Sequence, residues 1–214
     1  MNKLISIAIL VIGFSLQSLG QRNSYGFHLN FMTVQGETSQ GALITDDIAL
    51  GLGVLAEFPL VNPRYEFSWK LDYLSMRMDY ISNLDPNSLG YAQINASQYS
   101  ASGGVNIYLG SNHNMANIYQ PFRPYLSVSG GLIYQNNQVE QGGSVSFDQV
   151  SGGFVSPLAE LGVGIKIRIN PFWAFNMHGS LRSSFGDAID GLVGNTNSPD
   201  LMGQIRMGLN VHLR

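Results

Sequence analysis

Apolar and polar residues alternate with period two along most of this chain. From Ala159 to Ile169, Leu161, Val163, Ile165, Ile167 and Ile169 alternate with Gly162, Gly164, Lys166 and Arg168. Successive strand side chains point to opposite faces, so the segment reads as a strand with one apolar and one polar face. The same pattern closes the chain, with Ile205, Met207, Leu209, Val211 and Leu213 set against Gln204, Arg206, Gly208, Asn210 and His212. Six further strands fit the template. Residues 24–35 set Tyr25, Phe27, Leu29 and Phe31 against His28 and Asn30. Residues 48–58 set Ile48, Leu50, Leu52, Val54 and Phe58 against Gly51, Gly53 and Glu57. Residues 64–80 set Tyr65, Phe67, Trp69, Leu71 and Tyr73 against Glu66, Ser68, Lys70 and Asp72. Residues 97–109 set Ala101, Val105, Ile107 and Leu109 against Ser102, Gly104, Asn106 and Tyr108. Residues 124–135 set Leu126, Val128, Leu132 and Tyr134 against Ser127, Ser129 and Gly131. Residues 172–183 set Trp173, Phe175, Met177 and Leu181 against Asn176, His178, Ser180 and Arg182.

Eight strands is an even number and the smallest count for a bacterial membrane barrel. Their connections alternate in length. Residues 36–47, 81–96, 136–153 and 184–199 read as long polar loops, whereas 59–63 and 170–171 read as tight turns, each with Asn-Pro. Long loops outside and short turns inside are the barrel pattern, which puts both termini in the periplasm. Residues 110–123 break the rule, forming a long link on the short-turn side. Pro59, Pro124 and Pro157 are expected near strand ends, where a missing ladder donor is tolerated. Two aromatic belts are expected at the membrane surfaces. The periplasmic one holds Tyr25, Phe58, Tyr65, Phe67, Phe122, Tyr125 and Trp173. The outer one holds Phe31, Tyr80, Tyr91, Tyr99, Tyr134, Phe154 and Phe185.

Composition supports a lipid environment. Only 12% of residues are charged, which is too few to cover a soluble lipocalin-like barrel or β-sandwich, the competing architecture. Past the N-terminus no apolar run is long enough for a spanning helix. The N-terminus itself, Lys3 followed by apolar Leu4 to Leu16 and then Ser18-Leu19-Gly20, reads as a cleaved signal peptide over residues 1–20 rather than a membrane helix. Residues 21–214 form the barrel domain. With no cysteine there is no lipoprotein anchor, disulfide or thiolate metal site. A net charge of −3 argues against nucleic acid as a partner. The expected fold is therefore all-β, an eight-stranded antiparallel up-and-down transmembrane barrel in the bacterial outer membrane.

If the apolar faces meet lipid, Glu57, Glu66, Asp72 and Glu160 share the lumen with Lys70, Lys166, Arg168, Arg182 and Arg206. Near-balance of sign favours a salt-bridged plug over an ion pore, because a closed eight-stranded interior is about filled by its own side chains. His28, His178 and His212 also face inward, without metal-ligand spacing, and are expected to hydrogen-bond. His113 lies in the long link. His178-Gly179-Ser180 puts a histidine and a serine on one face, which resembles the His-x-Ser element of the lipid A deacylase barrels. The register turns both into the lumen and no acidic third member is evident, so no catalytic residue, cofactor or metal is assigned.

Pro121-Phe122-Arg123-Pro124-Tyr125, Gly130-Gly131, Gly162-Val163-Gly164-Ile165-Lys166 and Asn170-Pro171 resemble the small barrels of the Bacteroidetes. Leu181 to Asp190 is similar to the Arg-x-Thr-Phe-x-Asp-Tyr-Leu-Asp segment of the PorG-like component of the type IX secretion system. It departs from that segment in an intervening Gly186, in Ala188 for an aromatic and in a terminal Arg214. The resemblance covers residues 121–190. It implies a non-enzymatic outer-membrane subunit of protein export, joined to periplasmic or outer-membrane partners. The long link offers Asn112, Asn114, Asn117, Ile118 and Tyr119 for such a contact. The alternative that the residues leave open is a stand-alone envelope-stabilising or adhesin barrel.

Overall fold

In a computed structural model the chain closes into one antiparallel barrel, described over residues 23–35, 48–62, 64–82, 90–109, 122–143, 152–185 and 201–213. Its strands are β1 (Ser24–Gln35), β2 (Ala49–Pro59), β3 (Tyr65–Ser82), β4 (Gly90–Tyr108), β5 (Phe122–Gly143), β6 (Gly152–Arg168), β7 (Trp173–Ser184) and β8 (Leu201–His212). Each pairs with its neighbours in sequence, and β1 closes on β8 from Ser24↔His212 to Gln35↔Leu201. Closure removes every edge over the spanning part, so no backbone donor or acceptor there is left facing lipid.

Register sets the tilt. From Leu29 the pairing runs through Leu52, Tyr73, Tyr99 and Tyr134 to Val155; the other way it runs through Met207 and Met177 to Ile165. The two routes meet β6 ten residues apart (165 − 155). With about 3.3 Å per residue and about 4.8 Å between strands, that stagger tilts the strands by about 40°. Each residue then rises about 2.5 Å along the barrel axis.

The short-turn end is built by asparagines. Asn170 Oδ1 accepts from the backbone N–H groups of Phe172 (2.8 Å) and Trp173 (2.9 Å), closing the β6–β7 turn. Asn62 Oδ1 accepts from Arg64 N (3.0 Å) between β2 and β3. This is the turn chemistry for which asparagine is favoured.

Over the part of the strands toward the short-turn end the outside is apolar and the inside polar. Phe27, Leu52, Val54, Leu71, Val128, Leu161 and Val163 are all about half exposed, while Glu57, Glu66, Asp72 and Glu160 are buried. Above a row of outward tyrosines the polarity inverts. Tyr73, Tyr99 and Tyr134 stand side by side on β3, β4 and β5, with ring centroids 5.0 and 6.3 Å apart. Beyond them Ser75, Arg77, Asn95, Ser97, Asn136 and Gln138 face outward, while Leu74, Met76, Ile94 and Ala96 of β3 and β4 and Gln135 and Asn137 of β5 face inward. Leu74, Met76, Ile94 and Ala96 join Met32, Val34, Ile133, Leu158 and Met202 in an apolar cluster.

Several expectations are corrected here. The segments read as loops at 81–96 and 136–153 are largely strand: β3 and β4 pair up to Ser82↔Gly90 and β5 continues to Gly143. β2 stops pairing with β3 at Leu50↔Ser75, and β7 with β6 at Ser184↔Leu158, so among the described residues β3–β6 are the strands that continue well beyond that level. Nine residues from Tyr73 to Ser82 correspond to about 20 Å of height. Tyr99 and Tyr134 therefore lie mid-strand at the polarity boundary. Phe154 points inward and packs on the apolar cluster, because Val155 takes the outward position. Tyr125 leaves the periplasmic belt for the lumen, since Leu126 and Val128 already occupy the outward phase. Pro157 lies inside β6 rather than at its end. Its carbonyl accepts from Phe185 N (3.1 Å), so its nitrogen points to the same side, at the end of β7, where one missing donor is tolerated. Above the tyrosine row the lumen is mixed, with buried Gln98 donating to Gln135 (2.9 Å) and Gln135 to Asn137 (2.8 Å) beside the apolar cluster. Side chains of Tyr80 and Tyr91, the connections 36–47 and 186–199, and residues 110–121 lie outside the described residues.

Candidate functional site

The lumen holds two charged layers. In the upper, the Glu160 carboxylate accepts from Lys70 Nζ (2.5 Å) and from Arg206 Nη1 (2.9 Å) and Nη2 (2.7 Å), with Arg182 Nε 3.3 Å away. Asp72 accepts from Arg206 Nη2 (3.2 Å), Asn30 Nδ2 (3.1 Å) and Ser100 Oγ (3.4 Å), and its Oδ1 lies 2.7 Å from His28 Nε2. Arg182 crosses from β7 to donate to Ser100 Oγ on β4 (2.8 Å). In the lower layer Lys166 Nζ bridges Glu57 (2.7 Å) and Glu66 (2.9 Å). Tyr108 donates to Glu66, and Asn210 donates to Glu57 (2.7 Å). Arg123 stacks over the Tyr108 ring, 3.8 Å from its centroid.

Eight of the nine charged residues read from the alternation thus meet in two clusters, five in the upper layer and three in the lower. The ninth, Arg168, sits at the mouth, half-buried, where Nε donates to the Asn170 carbonyl (3.3 Å). Desolvating each ion costs several kcal/mol, offset only where every carboxylate meets several donors, as these do. Glycines make the space. A Cβ on Gly53 would stand 2.3 Å from His28 Nε2 and 2.4 Å from Asp72 Oδ1, and one on Gly164 would stand 2.3 Å from the Tyr125 ring. What remains at the centre is a cavity of about 20 Å³ lined by Lys70, Tyr125, His178 and Arg206, room for about one water.

His178 and Ser180 do not pair. The ring Nδ1 faces Arg206 Nη1 (3.1 Å), and Nε2 faces Ser127 Oγ (2.6 Å). A guanidinium can only donate, so Nδ1 is the acceptor and the neutral ring carries its proton on Nε2. Such a ring donates to Ser127 and cannot take a serine proton, the reverse of a catalytic histidine oriented by a carboxylate. Tyr125 stacks on it (5.8 Å, 7°) and donates to Asn176 Oδ1 (2.8 Å). His212 is half-buried at the mouth, and among the described residues no group of three or more metal-ligating side chains is arranged for an ion. Alternation placed Tyr108 inward but gave it no partner, and it missed Tyr125. The signals were there: Tyr125 shares a phase with Ser127 and Ser129, opposite Gly164. Asn112, Asn114, Asn117, Ile118 and Tyr119 lie outside the described residues.

An antiparallel eight-stranded barrel, apolar outside and charge-paired within, is a membrane-spanning barrel of the small outer-membrane type. No family model matches the sequence, and no curated protein is detectably similar to it. Among solved structures the chain is similar to Neisserial surface protein A, with a TM-score of 0.52, 11% identity, and coverage of 89% of this chain and 97% of that one. Matches also include Ail, the attachment invasion locus protein of Yersinia pestis (TM-score 0.44, 12% identity, 90% and 97% covered). The N-terminal β-barrel domain of Pseudomonas aeruginosa OprF is another (0.44, 17%, 89% and 99%). At 11% identity the likeness to the Neisserial protein is one of fold.

Proposed function

We propose that this chain is a stand-alone, non-enzymatic barrel of the bacterial outer membrane that presents a rigid β-sheet outside the cell for attachment. In this reading residues 1–20 are removed on export, both termini lie in the periplasm, and β3–β6 form the outer rim. One observation carries it. Strands that only spanned the bilayer would end near the tyrosine row, yet β3, β4 and β5 continue with polar residues outward, and β3 and β4 turn Leu74, Met76, Ile94 and Ala96 inward, as suits a water-exposed sheet. The test replaces residues 78–94 and 138–151 by Asn-Gly turns and compares cells displaying the trimmed and the full protein. Trimmed barrel should remain in the outer-membrane fraction while attachment to extracellular matrix and to sister cells is lost. Equal attachment by both forms would refute the role of the rim.

A second reading, an adaptor of a type IX-like secretion complex, draws on the resemblance over residues 121–190 and on one spacing. β4 ends at Tyr108 and β5 begins at Phe122, on the end where the β6–β7 turn needs only a few residues. Loops longer than their geometry requires tend to carry function. Replacing residues 111–120 by Asn-Gly should then abolish co-purification of periplasmic subunits and reduce export. Unchanged pulldown and export would remove this reading.

A further inference from the structure

The chain's charge is divided between the two ends of the barrel. Of its 14 acidic residues, four are the buried lumen carboxylates, and the others fall in segments 37–47, 79–85, 140–148 and 187–200. Topology assigns all of those segments to the end with the long connections. At the opposite, short-turn end no acidic residue is exposed among the described residues. Arg64, Arg123 and Arg168 stand there instead. Arg123 carries its charge over the Tyr108 ring, and Arg168 holds the Asn170 carbonyl. Arg64 is different. It is exposed, and its backbone rather than its guanidinium holds the β2–β3 turn: its N–H donates to Asn62 Oδ1 (3.0 Å) and its carbonyl accepts from Tyr108 N (2.9 Å). Apolar groups share this end with the cations. Val61 is 99% exposed in the same turn, and the rings of Phe122, Phe172 and Trp173 are exposed nearby.

We infer that the short-turn end binds anionic phospholipids of the periplasmic leaflet through their phosphates, with Arg64 as the open cation. The inference rests on the outer-membrane placement proposed above. Exposed aromatic rings collect at the level of the lipid headgroups. A cation at that level meets phosphate oxygens, which a guanidinium binds through two parallel donors. A soluble acidic partner would not need Val61 and the three rings beside the arginines. The preference runs against the net charge, because at −3 the chain as a whole repels an anionic lipid. Segregation of the charges removes that obstacle. Even the short strand β8 (Leu201–His212) carries the chain about 28 Å along the axis, beyond three screening lengths of about 8 Å at physiological salt. The cationic end therefore acts on lipid without opposition from the acidic one.

The test refolds the full mature chain into nanodiscs of equal phosphatidylglycerol and phosphatidylcholine with matched acyl chains. A heat-dependent gel shift confirms the barrel. Lipid carried out of the disc with it is counted by native mass spectrometry. Wild type should carry phosphatidylglycerol in excess, and high salt should erase the excess. Arg64→Ala should lower the ratio of the two lipids about fivefold, the factor expected for one arginine at an anionic lipid surface. Arg64→Lys keeps the charge and should retain most of the preference. Arg77→Ala, at the acidic end, should change nothing. All three variants should keep the heat shift, because both side chains are exposed. Equal retention of the two lipids by wild type, or an unchanged ratio in Arg64→Ala, would overturn the inference. So would an equal loss in Arg77→Ala, since net charge alone would then explain the preference. Full displacement of the lipid by glycerophosphoglycerol or by polyglutamate would assign the cations to a soluble anion and overturn it as well. Failure of the wild type to insert into nanodiscs would instead strike the membrane reading beneath it.

Discussion

Glu160 is the residue on which the upper lumen turns, because Lys70, Arg182 and Arg206 all address it from three other strands. Glu160→Gln leaves Arg206 with Asp72 as its carboxylate and Lys70 with Ser129 alone, and removing one partner of a buried ion cluster typically costs about 3–5 kcal/mol. Urea unfolding in lipid vesicles should show that loss. Adding Arg206→Met should recover part of it, since the second change removes a charge the first stranded. Simple addition of the two losses would mean that the pair is not coupled. That these side chains face inward is legible from period-two alternation. Which cation meets which carboxylate is not, because partners such as Lys70 and Glu160 lie on strands that meet only across the closed lumen. Gly53 and Gly164 show the same limit. The sequence displays them as gaps in a strand, and only the folded barrel shows His28, Asp72 and Tyr125 filling the space.

At the scale of the strand, the polarity switch makes depth in the membrane measurable. Val128 and Asn136 both point outward from β5, eight residues apart and on opposite sides of Tyr134. Arginine at Val128 faces hydrocarbon and should destabilise assembly by about 2–4 kcal/mol, whereas arginine at Asn136 should change little. Refolding yield and urea stability in vesicles of matched thickness check this. Comparable penalties at both sites would move the boundary above Asn136 and dissolve the rim. The switch also accounts for the shortened strand predictions. Apolar pairs such as Tyr73-Leu74 and Ile133-Tyr134 shift the phase of the pattern by one, although backbone pairing runs on unbroken. A template of apolar residues outward loses the strand at that step.

For the whole molecule, eight strands with a ten-residue stagger enclose a lumen that their own side chains occupy. A central cavity of about 20 Å³ is no conduit for hydrated ions. Reconstituted in planar bilayers, the protein should show no steady unit conductance. Reproducible ohmic steps would mean that the charge layers open as a pore. The same packing makes the barrel a stiff mount for the rim. Movement of β3–β6 relative to the membrane would require breaking ion pairs that link β3, β6, β7 and β8.

The alternation of side chains, by itself, determined the number of strands, their order, and which face of each spanning segment meets lipid. It could do so because period-two chemistry is local and a membrane barrel pairs consecutive strands. Tertiary structure alone decided the stagger, and with it the tilt, the meeting of Glu160 with three cations and the row of Tyr73, Tyr99 and Tyr134. It also decided that the chain continues as sheet beyond that row. Those features depend on which residues of different strands stand opposite one another, and that is set by closure of the whole barrel, a condition that no single segment of the sequence contains.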